Sequence, residues 1–194
     1  MKVFEPFKIN QMELKNSMVV SAMVTNYCSE DGMATEKFIA YHEHKAKGGW
    51  GLIITEDYAV TPTAGGFKKL PGLWEDGQIE SHKELTRRIH EAGGKIAAQI
   101  YHAGRETSSA ITGEQPIGPS ALKDPTMPET PREMTVEEIH ELVEQFGDCA
   151  RRAEERSETV QDLQWRSLRI LRKNAEKIIQ FYTECQRLNM SQVD

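Results

Sequence analysis

The chain has 194 residues, of which 38% are apolar and 28% charged, and a formal net charge of −6. That length suits one well-buried core with an appendage, and the composition excludes a disordered chain. The acidic balance argues against nucleic acid or an anionic membrane as a general partner.

The N-terminus, MKVFEPFKIN, carries Glu5 and Pro6 where a signal peptide would need an unbroken apolar run. No apolar stretch reaches the length of a membrane span. Cys28, Cys149 and Cys185 are an odd set at unrelated spacings, without a CxxC pair. A reduced, cytoplasmic location is therefore expected.

Short apolar runs alternate with amphipathic stretches, the pattern of βα units feeding a parallel sheet. Residues 17–22 (SMVVSA) predict the first strand, followed by a polar loop containing Asp31 and Gly32. Thr35 is placed to cap a helix over 36–47, with Phe38, Tyr41 or His42, and the stem of Lys45 inward, ending at Gly48 and Gly49. Residues 52–55 (LIIT) predict the second strand.

A Thr, Pro and Gly-rich loop spans 61–72, and a second helix is expected over 78–92 with Ile79, Leu85, Ile89 and Ala92 inward. Gly93 and Gly94 end it, and 95–101 predicts the third strand. The proline-rich connection 107–132 is too long for a simple turn and is expected to fold over the strand ends. Thr135 and Glu138 form a capping box for a helix bearing Ile139, Leu142, Val143, Phe146, Ala150 and Ala153.

Beyond about residue 155 the alternation stops. Residues 156–194 contain no glycine, proline or strand-like run, and Val160, Leu163, Ser167, Leu171, Ala175, Ile178, Tyr182, Cys185 and Leu188 recur at helical spacing. One long amphipathic helix is expected, with its stripe packed on this chain or on a second copy in a homo-oligomer. The expected division is thus 1–155 and 156–194.

The run AQIYHAGR at 98–105 places Gln99, His102 and Arg105 at the emerging end of a buried strand, where parallel α/β proteins hold their ligands. Each has a plainer reading as well. Gln99 can be a surface amide, His102 a core or capping histidine, and Arg105 a partner of a carboxylate such as Glu106 or Glu56. His42 and His44 lie two apart on a helix, so they face different ways and make a poor metal pair. Met12, Met18, Met23 and Met33 read as packing residues, and Cys28 as a loop thiol without an activating base. The paired glycines are helix terminators, since neither pair has the spacing of a phosphate-binding loop.

Five segments taken in order resemble the N-terminal part of the Old Yellow Enzyme family: VFEPFKINQMELKNSMVVSAM (3–23), EDGMATEKFIAYHEHKAKGGWGLIITEDYAV (30–60), AQIYHAGR (98–105), IGPSAL (117–122) and PREMTVEEI (131–139). Within the family they are most similar to the branch of 2,4-dienoyl-CoA and enoate reductases. The resemblance implies a partial TIM (β/α) barrel of about three βα units and an FMN-dependent oxidoreductase. NADH or NADPH would be the reductant, and an enone-like or enoyl C=C the acceptor.

The resemblance also assigns flavin contacts. Ser21, Ala22, Met23 and Val24 fall on the segment that passes along the isoalloxazine, with Ala22 in place of the usual proline. Val24 stands where some members carry a flavin-tuning cysteine or threonine, and Asp57 where a small residue is usual. Gln99 matches a glutamine that pairs with the flavin pyrimidine, whose alternating groups suit an amide that both donates and accepts.

The family continues with a strand bearing a His/Asn substrate pair and a proton-donating tyrosine, and nothing in 156–194 matches it. A complete barrel takes ~250 residues. The expectation is therefore a truncated flavoenzyme with no catalytic residue of its own to name. The alternative is a catalytically silent family fragment serving as a structural or self-association module.

Overall fold

The computed structural model describes residues 2–9 and 12–155. At its centre are three parallel strands in the order β3 (Val19–Val20), β4 (Leu52–Ala59) and β5 (Lys95–Tyr101). Parallel neighbours need a crossover, and each is a helix here: α1 (Glu36–Lys47) between β3 and β4, and α2 (Ile79–Glu91) between β4 and β5. The three strands form an open sheet, so the expected partial barrel of βα units is what the described residues build.

Both helices start and stop where their residues dictate. The Thr35 hydroxyl accepts from the Phe38 N–H at 3.2 Å and donates to the Tyr27 carbonyl, and His44, Lys45 and Lys47 complement the carboxyl end of α1. α2 ends before Gly93, whose φ of +71° lies in the left-handed region that glycine adopts without strain. The buried face of α1 is Phe38, Ile39, His42 and Ala46. Tyr41 and Lys45 stay half-exposed, with the Lys45 ammonium 3.0 Å above the Tyr41 ring. α2 buries His82 and Thr86 beside the expected Ile79, Leu85 and Ile89.

The sheet has two different faces. Val20, Ile53 and Ile96 meet Phe38, Ile39, Ala46, Leu85 and Ile89 in the outer core beneath the helices. On the inner face Leu52, Ile54 and Ala97 are covered at their amino end by an antiparallel hairpin of β1 (Phe7–Ile9) and β2 (Met12–Leu14), whose Met12 and Leu14 are buried there. This hairpin was not anticipated, because three-residue strands leave almost no periodic signal.

The first strand is shorter than the expected 17–22. Only Val19 and Val20 pair with β4; Ser17 is bonded instead to the Val3 carbonyl, and the chain has left the sheet by Ser21. The second strand is longer than 52–55 and runs to Ala59. The 107–132 connection holds a short helix α3 (Ser109–Thr112) and a small parallel pair, β6 (Ile117–Gly118) with β7 (Arg132–Glu133).

α4 (Val136–Glu155) begins at the expected capping box: Thr135 N–H donates to Glu138 Oε2 at 2.8 Å, and Glu138 N–H to the Thr135 hydroxyl at 3.2 Å. Its Cys149 and Ala153 pack with Tyr58, Ala59, Val60 and Leu73, while Arg152 Nε reaches Asp76 at 2.7 Å. No described helix is long and apolar enough to cross a membrane. The helix expected over 156–194 lies outside the described residues.

Candidate functional site at the carboxyl ends of the strands

Parallel strands carry all their carboxyl ends to one side of the sheet, and β4 brings the other two together by lying between them. Residues 21–24 continue from β3 on that side, with Ser21 and Met23 exposed and Ala22 and Val24 half-buried. Met23 is 51% exposed, too open for the packing role expected of it.

The middle strand is irregular at this level. Pairing runs regularly to Thr55 opposite Ala98, then resumes with Asp57 opposite Gln99, so Glu56 is an extra residue in a β-bulge. Bulges re-aim side chains and recur beside ligand sites. The consequence is that two consecutive carboxylates point to different places.

Asp57 shares a face with Gln99, and Gln99 Nε2 donates to Asp57 Oδ1. Partial burial pushes the Asp57 carboxyl above its ordinary value; the Gln99 hydrogen bond opposes this and the nearby Glu56 adds to it. Glu56 is instead fully buried and holds the loop after β3: Thr25 N–H donates to Glu56 Oε2 at 2.8 Å, and the Thr25 hydroxyl donates to Oε1. His42 Nε2 lies 3.8 Å from the same Oε1.

Further along, Tyr101 stands two residues beyond Gln99 on the same strand face, half-buried, its phenol pushed up by burial and by the Asp57 and Glu106 carboxylates. His102 Nδ1 accepts from the Gly104 N–H at 2.9 Å, and burial lowers its pKa, favouring the neutral ring. Arg105 does not meet Glu106 or Glu56. Its Nε lies 3.9 Å from Asp124 and its Nη1 donates to the Leu122 carbonyl at 3.5 Å, because the 107–132 connection brings its own acceptors closer.

Among the described residues no group of three or more His, Cys, Asp or Glu side chains could hold a metal ion. Cys28 lies in the loop before α1 as expected and is buried there, and burial pushes its thiol up, in keeping with a thiol that has no activating base. The sequence reading missed the Glu56–Thr25 anchor and the facing of Asp57 with Gln99. Its signal would have been a carboxylate pair inside an otherwise β-branched strand.

The donor set bears directly on a flavin ring. Asp57 occupies one N–H of the Gln99 amide, leaving the other N–H and the carbonyl oxygen, one donor and one acceptor. That pair fits the N–H and C=O edge of a pyrimidine. A phosphate finds less here, since Arg105, the basic residue following β5, is engaged by Asp124 and Leu122.

Residues 2–158 match the model of the NADH:flavin oxidoreductase / NADH oxidase family. Over 155 residues the chain is 37% identical to an NADPH dehydrogenase of Bacillus subtilis, a match covering 79% of this chain and 45% of that one. Over 153 residues it is 37% identical to an NADH oxidase of Thermoanaerobacter brockii, covering 78% and 24%. Among solved structures, the Old Yellow Enzyme homologue of Zymomonas mobilis superposes with a TM-score of 0.72 at 28% identity, over 80% of this chain and 46% of that one. A 2-naphthoyl-CoA reductase in complex with 2-naphthoyl-CoA gives a TM-score of 0.76 at 28% identity, over 80% and 26%. The chain spans about half, or less, of the length of these relatives.

Proposed function

Because the chain belongs to the NADH:flavin oxidoreductase / NADH oxidase family, we propose that Ser21, Ala22, Met23, Val24, Asp57 and Gln99 form one wall of an FMN ring site in an NAD(P)H-dependent oxidoreductase. The observation that carries this reading is the Gln99 amide, held by Asp57 on the inner face of β5 beside the carboxyl end of β4. Bound FMN would supply hydride transfer from a nicotinamide to the electron-poor C=C bond of an enone-like or enoyl acceptor.

The chain's own part is to position the ring. Gln99 offers its carbonyl oxygen to a ring N–H and its remaining N–H to a ring carbonyl. The main chain of 21–24 borders the ring, and Val24, with no polar atom on its side chain, leaves that edge without a side-chain hydrogen bond. The outer core and the hairpin hold these elements rigid from behind and below. The same reading takes 1–155 as the family portion and 156–194 as an appended segment.

A second reading is favoured by one observation: the sheet ends at β3 and β5, with no further strand paired among the described residues. On that reading the chain is a catalytically silent family fragment. Flavin fluorescence separates the two. The flavin reading expects quenching of both FMN and lumiflavin by the purified full chain, weakened about tenfold by Gln99→Ala. Failure of FMN either to be quenched or to raise the melting temperature would leave the silent fragment.

A further inference from the structure

We propose that Glu56 is a positioning residue whose buried carboxylate anchors Thr25 and thereby fixes the path of Met23 and Val24 at the carboxyl end of the sheet. The inference rests on the ring-site reading above for what that path is used for, and on the geometry alone for the anchor.

A carboxylate removed from water is costly unless its oxygens are hydrogen-bonded, so a fully buried glutamate needs partners that justify its place. Glu56 has them in one residue: both of its oxygens are bound by Thr25, one through the main-chain N–H at 2.8 Å and the other through the hydroxyl. Two bonds from one residue to the two oxygens of one carboxylate restrain direction as well as distance. The N–H belongs to the residue directly after Val24, so the restraint falls on the segment that leaves β3.

Among the described residues that segment has little else to hold it. β3 contributes only Val19 and Val20 to the sheet, and 21–24 are exposed or half-buried with no assigned strand or helix. The bulge explains how a strand residue can reach it. In regular pleating Glu56 would share the inner face with Ile54, but as the extra residue between Thr55 and Asp57 it leaves that alternation and meets Thr25 and His42. Asp57 then takes the inner position beside Gln99.

Amide hydrogen exchange on the full chain reads the anchor without any flavin. In Glu56→Ala the Thr25 amide should exchange about tenfold faster while those of Ile53 and Ile96 keep their rates, and Glu56→Gln, which retains an acceptor, should restore most of the protection. Should the alanine variant fold poorly, Thr25→Val removes only the hydroxyl contact and should raise Thr25 exchange by a smaller factor. Unchanged Thr25 exchange in these variants would overturn the proposal. So would a rise shared equally by Ile53 and Ile96, which marks a merely structural role.

Lumiflavin quenching in the same variants reads the use of the anchor: affinity should fall in Glu56→Ala and return in Glu56→Gln. A parent chain that does not quench lumiflavin overturns the ring-site reading and the positioning role built on it, whereas the exchange result still decides the anchor.

Discussion

Tyr58 and His82 meet at 3.1 Å between β4 and α2, both fully buried, and His82 Nε2 lies 3.1 Å from the Gly32 carbonyl. A carbonyl only accepts, so Nε2 carries a proton, and in the neutral ring Nδ1 then accepts from the Tyr58 hydroxyl. One imidazole thus links the middle strand, the second helix and the loop before the first helix. Tyr58→Phe removes a buried donor and should cost about 1–2 kcal/mol in urea unfolding. Combined with His82→Leu, the loss should fall short of the sum of the two; strict additivity would show that the pair is not coupled.

Asp57 sets a pH dependence. Its carboxyl titrates above the ordinary 3.8 in the folded chain, first because of burial. The folded state therefore holds this proton more tightly than the unfolded chain. Its contribution favours folding at low pH and is lost as pH rises from 3.8 through the raised value. Asp57→Asn removes the titration yet keeps an acceptor for Gln99. Melting temperatures of variant and parent should diverge in the variant's favour across that window and run parallel above it. A constant gap from about pH 3 to 7 would contradict the assignment.

Thr35 tests the start of α1. Its hydroxyl serves two partners, the Phe38 N–H and the Tyr27 carbonyl, so the cap also fastens the preceding loop. Thr35→Ala should destabilise the chain by about 1 kcal/mol in denaturant unfolding, and Thr35→Ser should recover most of it. An alanine variant as stable as the parent would mean the cap contributes nothing.

The described thiols should be inert in the folded protein. Cys28 is 3% exposed with its thiol pushed up by burial, and Cys149 is fully buried. In a Cys185→Ser background, Ellman's reagent should react with neither until the protein is unfolded. Rapid colour development under native conditions would show that one of them is reachable.

The parts of the fold that repeat or announce their ends were legible in the sequence. α1, α2 and α4 followed from apolar spacing together with Thr35, the paired glycines and the Thr135 and Glu138 box; β4 and β5 followed from their β-branched or apolar runs. What escaped depends on partners distant in the chain. β1 and β2 pack through Met12 and Leu14 on Leu52, Ile54 and Ala97, and of the 17–22 run only Val19 and Val20 pair with β4 while Ser17 is bonded to the Val3 carbonyl. At the site, the proximity of Asp57 and Gln99 needed the register between strands, which no single strand contains. Arg105 found Asp124 in place of the nearer-looking glutamates because the folded connection decided the distance.

Glu56 also changes what a gap in the sequence would do. Losing one residue from a strand ordinarily exchanges its two sides, but β4 carries one residue more than its pairing with β5 uses. Excising Glu56 would leave Ile54, Thr55, Asp57 and Tyr58 in their present parity and take away only the surplus member. A sheet can acquire a functional group in this way, as an insertion that its neighbours need not count.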